Sequence, residues 1–129
     1  MWHLWKKILK TDTATVYTRR TFAVHTRKLN IVTTPSPAER ALASAFAKTL
    51  QARRKELGLT QEQVALRANI NRNHYQLLEH ARSDRRSNRP ANPRLSTLIK
   101  LAKVFDCSVQ DLLSNALEEY DAADINPYD

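Results

Sequence analysis

RKELGLTQEQVALRANINRNHYQLLE, residues 54–79, is the stretch that decides the fold of this 129-residue chain. It holds Gly58, the only glycine in the sequence, placed where a long helix must stop and a backbone without Cβ turns left-handed at little cost. Thr60 and Gln63 follow with capping-box spacing: the hydroxyl accepts an orphan amide and the side chain three residues on reaches back. A short helix is therefore predicted to start at Gln61. Val64, Ala65 and Ala68 form its apolar face, with Glu62, Gln63 and Arg67 turned away. Ala65 is small enough to let a crossing helix approach closely. Asn69 is a residue type that tolerates positive φ, Ile70 plugs the corner, and Asn71 caps the next helix.

That next helix is predicted from Arg72 to about His80. Tyr75 and Leu78 face inward with Leu77 alongside, and Arg72, Asn73 and Gln76 lie outward near its start. Arginine pairs in bidentate fashion with guanine O6 and N7, and asparagine or glutamine with adenine N6 and N7. The first turn of such a helix is the part that enters a major groove. A polar outer face alone means only solvation. The two-turn helix, Ala65, Asn69 and Ile70 in combination point instead to a helix-turn-helix that reads double-stranded DNA.

On these residues the chain resembles the lambda-repressor-like helix-turn-helix family, also called the xenobiotic response element family, which includes Cro and the phage repressors. The resemblance rests on RRKELGLTQEQVALRANINRNHYQLLE at 53–79 and LSTLIKLAKVFDCSVQDLL at 95–113, and covers about 75 residues. It implies an all-α, five-helix bundle and a mostly dimeric transcription regulator. It also implies that Gln61 holds a DNA phosphate, that Arg72 and Asn73 read bases, and that Gln76 and Leu77 face the groove after them. Arg54 and Glu79 match an arginine and a glutamate that pair across the first and third helices; a lone buried charge there would be costly.

Two features depart from the family. Tyr75 stands where a smaller aliphatic residue is usual. The family usually follows the glutamate with glycine and reaches a proline about six residues later, whereas here His80 and Ala81 follow and Pro93 lies fourteen residues on. The extended loop, residues 81–93, carries four arginines against one aspartate. It reads either as a phosphate clamp or minor-groove arm, or as a disordered, solvated insertion. With the first alternative, the phosphate-contacting set is Gln61, Asn71, Arg82, Arg85, Arg86 and Arg89.

Around this core, Ser36-Pro37-Ala38-Glu39 predicts a helix start, with the first helix running to Leu57 on a stripe of Leu42, Phe46, Leu50 and Leu57 while Arg53 and Lys55 point to solvent. Asn92-Pro93 is predicted to cap and open a fourth helix bearing Leu95, Leu98, Leu101, Ala102 and Phe105. Asp106-Cys107 breaks it, with Cys107 a small buried apolar residue. Ser108 and Asp111 open a fifth helix, whose Val109, Leu112 and Leu113 close the core. Residues 36–114 thus form the DNA-binding domain.

Net charge is +8, divided very unevenly. Residues 1–34 carry seven basic residues and one acidic, residues 35–114 fourteen and seven, and residues 115–129 none and five. A basic domain with a basic arm is the footprint of a polyanion binder. The arm, residues 1–35, opens MWHLWKKILK in a helix-like pattern and continues through TATVY, TFAVH and LNIVTT. Those runs read as short strands, pairing with each other or a dimer mate, or as disorder. A membrane-surface helix and a transit peptide are lesser alternatives. The acidic tail, residues 115–129, reads as the frayed end of the fifth helix followed by disorder.

One cysteine excludes a disulfide framework and a thiolate metal cluster. His74 and His80 are six apart and share no helix face. Glycine-rich phosphate loops, nucleophile turns and clustered carboxylate pairs in an apolar setting are absent from the sequence, so neither an enzyme nor a cofactor or metal is expected. The expectation is a cytoplasmic homodimer, without a membrane span, that represses transcription from a palindromic operator with half-sites about one helical turn apart. The second reading is an antitoxin-type or adaptor module whose arm or tail grips a toxin-like protein partner.

Overall fold

Five helices succeed one another in the computed structural model, which describes residues 34–124: α1 (Pro37–Glu56), α2 (Gln61–Ala68), α3 (Arg72–Glu79), α4 (Leu95–Val104) and α5 (Val109–Ala123). The described part is all-α. The strand, helix and disorder alternatives for residues 1–33 and the fate of residues 125–129 lie outside the described residues.

Capping explains where most of these helices begin. Ser36 and Glu39 form a reciprocal capping box, and so do Thr60 and Gln63. Asn71 Oδ1 accepts from the amides of Asn73 and His74, and Ser108 Oγ from that of Asp111. Each cap satisfies amide groups that the helix leaves unpaired. The fourth helix departs from expectation: it starts at Leu95, with Arg94 as an N-cap that makes no side-chain bond. Asn92 and Pro93 belong to the preceding loop, because Ala91 is buried in the core and its amide donates to Ala81 O, which holds the chain there.

Four of the five helix ends, those of α1 to α4, share one device. At Gly58, Asn69, Ala81 and Asp106 the backbone takes positive φ, between 50° and 64°. In each case that residue's amide donates three residues back and the next amide five residues back, as in Leu59 to Arg54 O, Ile70 to Ala65 O, Arg82 to Leu77 O and Cys107 to Ala102 O. This is the Schellman pattern, which covers the last carbonyls of a helix. Three of the residues that follow, Leu59, Ile70 and Cys107, pack against the core. Cys107 is half-buried, not fully buried as expected, and burial raises its thiol pKa.

The core gathers Phe46, Leu50, Val64, Tyr75, Leu78, Leu101, Phe105 and Leu112 around the small Ala65, Ala68, Ala102 and Ala116. Helix α1 lies chiefly against α5 and also touches α3, while α2 is braced by α3 and α4. Leu57 corrects the expected stripe: α1 stops at Glu56, and Leu57 is 50% exposed at its C-cap. Arg53, expected in solvent, is half-buried. The acidic segment is corrected too. Helix α5 continues to Ala123, and Ala116, one turn beyond Leu112, has no exposed surface, so residues 115–123 are the second half of a packed helix. No helix among the described residues is long and apolar enough to cross a membrane.

Candidate nucleic-acid interface

The floor of the site is a buried polar network. Arg54 Nε donates to Glu79 Oε1 at 2.6 Å and Nη2 to Oε2 at 3.3 Å, while Nη1 donates to Leu59 O at 3.0 Å. One side chain thus grips both α3 and the turn between α1 and α2. Glu79, 4% exposed, accepts two more bonds, from the Tyr75 hydroxyl at 2.7 Å and from Gln61 Nε2. Its two oxygens receive four donors, the full capacity of a carboxylate. Burial alone would raise the Glu79 pKa, but the bonds from Arg54, Gln61 and Tyr75 and the Arg54 charge outweigh it and hold the carboxyl below the ordinary glutamate range. Burial, followed by the bond to Glu79, pushes the Tyr75 phenol up.

Tyr75 is the member of this network that sequence reading placed only as an apolar core residue. Its ring is fully buried as expected; its hydroxyl completes the carboxylate four residues on, and that i, i+4 spacing was the available signal. Gln51 adds a further brace, its Nε2 donating to Glu79 O at 2.8 Å.

Gln61 transmits this network to the surface, since its Oε1 accepts from Gln76 Nε2 at 3.3 Å. Gln76 and Leu77 are half-buried, whereas Arg72 and Asn73 are exposed at the start of α3. Arg72 has only a 4.0 Å approach to Glu62, both side chains lying open to solvent, a geometry worth little. Asn71, assigned to phosphate, uses its Oδ1 as the α3 cap.

The extended loop is folded back on itself. Arg82 and Pro90 form an antiparallel bridge, the Ser83 amide donates to Arg89 O at 3.0 Å, and the Ala91 amide to Ala81 O at 3.1 Å. At its tip Asp84 accepts from the Ser87 hydroxyl and amide and from the Arg86 amide, which hold its carboxyl below the usual range. This hairpin-like excursion replaces the alternative of a disordered insertion. Arg85 Nη2 reaches Asn73 Oδ1 at 3.4 Å, so Asn73, Gln76, Leu77, His80, Arg82 and Arg85 line one open cleft of about 260 Å³. Arg72, Arg86 and Arg89 lie outside it. Among the described residues no three His, Cys, Asp or Glu side chains are grouped to hold a metal.

A short capped helix, a left-handed turn and a second helix with amide side chains outward define a helix-turn-helix domain of the kind that DNA-binding transcription regulators carry. Residues 50–84 match the family model described as helix-turn-helix. The match runs from the last two turns of α1 through α2 and α3 into the loop. No curated protein and no solved structure matched the chain.

Proposed function

We propose that this protein is a sequence-specific double-stranded DNA binder that represses transcription as a homodimer, with α3 in the major groove. The observation that carries this reading is the cleft in which Asn73 and Gln76, amides suited to adenine edges, stand beside Arg82 and Arg85, guanidiniums suited to phosphates. In this reading Arg72, Asn73, Gln76 and Leu77 contact bases. Gln61, which keeps one Nε2 hydrogen after donating to Glu79, holds a phosphate together with Asn71, Arg82, Arg85, Arg86 and Arg89. An eight-residue helix offers few base contacts, and a second copy on a symmetric site doubles them.

Selection from randomised duplexes tests the assignment. The intact chain is expected to recover a two-fold symmetric motif, and Arg72→Ala to lose ~1–3 kcal/mol on it while relaxing preference at one base pair. Recovery of the same motif at unchanged affinity by Arg72→Ala combined with Asn73→Ala would falsify the base-reading role.

A further inference from the structure

A second hollow, of about 190 Å³, adjoins the reading cleft and shares His80 and Arg82 with it. Its basic side chains converge from three places: Arg40 from the first turn of α1, His80 from the C-cap of α3, and Arg82 and Arg89 from opposite limbs of the hairpin. No carboxylate lines it. The loop's one acid, Asp84, is turned into its own tip by Ser87 and Arg86. Arg40 Nη1 donates to Asn88 O at 2.9 Å, which positions the guanidinium and leaves its other donors available, since arginine carries five. Among the described residues the side chains of His80, Arg82 and Arg89 make no hydrogen bond or ion pair with a side chain or carbonyl.

Three guanidiniums around one hollow repel one another, with Asp84 acting through space on Arg89 alone, and a multidentate oxyanion relieves that repulsion while matching their planar donor geometry. We infer that this hollow is a phosphate site, occupied by a backbone phosphate of the duplex that lies past the C-terminal end of α3, outside the base pairs the helix reads. The inference rests on the DNA-reading assignment and adds Arg40 and His80 to the contacts. Arg40 sits in the first turn of α1, eighteen residues ahead of Gly58, where sequence alone gives a solvated helix residue.

The test uses the full chain and duplexes carrying its selected motif, lengthened in two-base-pair steps on each flank. Binding is measured against salt concentration at every length. Because each neutralised phosphate contributes about 0.9 to the magnitude of the slope of log affinity against log salt, the wild-type dimer, with one hollow per copy, should show one step of about 1.8 in that magnitude as the two flanks reach the hollows. Arg40→Ala with Arg89→Ala should lose the step. Arg89→Gln alone, which leaves the Arg40 bond to Asn88 intact, should shrink it and guards against a loop that has merely come apart. A step that survives in both variants, or that never appears in the wild type although the motif is bound, overturns the phosphate site alone. Failure to select any motif removes the DNA-reading assignment and the site with it. A free ion is the other source of the same chemistry: saturable binding of inorganic phosphate, abolished in the double variant and unaccompanied by the length step, would overturn the backbone assignment.

Discussion

Ala81 holds a backbone shape that glycine adopts freely and other L-residues resist. At φ 58° it closes α3 at a conformational cost of ~1–2 kcal/mol, partly offset because glycine is more flexible when unfolded, by ~0.5–1 kcal/mol. Ala81→Gly is therefore expected to stabilise the domain by ~0.5–1 kcal/mol, read as a higher urea midpoint with unchanged m-value. Gly58 gives the converse. A Cβ there meets nothing within 4 Å, so Gly58→Ala should lose ~1 kcal/mol from backbone strain alone. Glu79 sets a pH window. Its folded pKa is depressed, so its contribution is fully present above the unfolded value of about 4.3, and it is lost as pH falls through the lower folded value. Glu79→Gln should flatten that acid limb while costing ~3 kcal/mol at neutral pH, because Arg54 is left without its partner. Urea titrations from pH 7 downward on both proteins provide the measurement.

Among the elements, the helix borders differ in how plainly their residue types announce them. Ser36, Thr60, Asn71 and Ser108 are legible caps because their side chains have the acceptor the orphan amides need, and Gly58 and Asn69 are legible stops because their types favour the conformation they adopt. Ala81 carries no such signature; its left-handed turn is held by its own amide bond to Leu78 O and by that of Arg82 to Leu77 O. Asn92-Pro93 carries a misleading one. It has the composition of a cap followed by a first helical residue, yet burial of Ala91 just before it commits both to the loop. Helix α4 consequently begins at Leu95, preceded by an N-cap, Arg94, that makes no side-chain bond. The Arg94 φ and ψ of −68° and 154° already suit a cap, so Arg94→Ser should raise stability by ~0.5–1 kcal/mol, visible as a shift in Tm. The second half of α5 was hidden by its charge: the acidic run reads as a tail until Leu112 and Ala116 are seen to lie one turn apart on the buried face.

At the scale of the molecule, the lower part of the interface was more legible than the upper. Arg54 and Glu79 were legible as a pair across 25 residues of sequence, whereas Gln61, read only as a phosphate contact, also donates to Glu79. The hairpin follows no helical or strand period, and its position depends on bonds such as Arg40 to Asn88, 48 residues apart, which no local pattern contains. The basic charge of that hairpin gives a bulk prediction: Arg85→Ala with Arg86→Ala should weaken binding to all duplexes alike and lower the salt slope by up to about 0.9 for each phosphate contact removed, measured by fluorescence anisotropy between 50 and 200 mM salt.

The 3.4 Å approach of Arg85 to Asn73 bears on protein engineering. Asn73 leans on a guanidinium that enters the chain twelve residues later, after the helix has ended. Transplanting the outward residues of α3 into another five-helix scaffold therefore moves only one side of the proposed two-sided reader, and a recipient with a short loop would supply no counterpart to Arg85. Exchange of specificity between such scaffolds should succeed when residues 72–91 travel together.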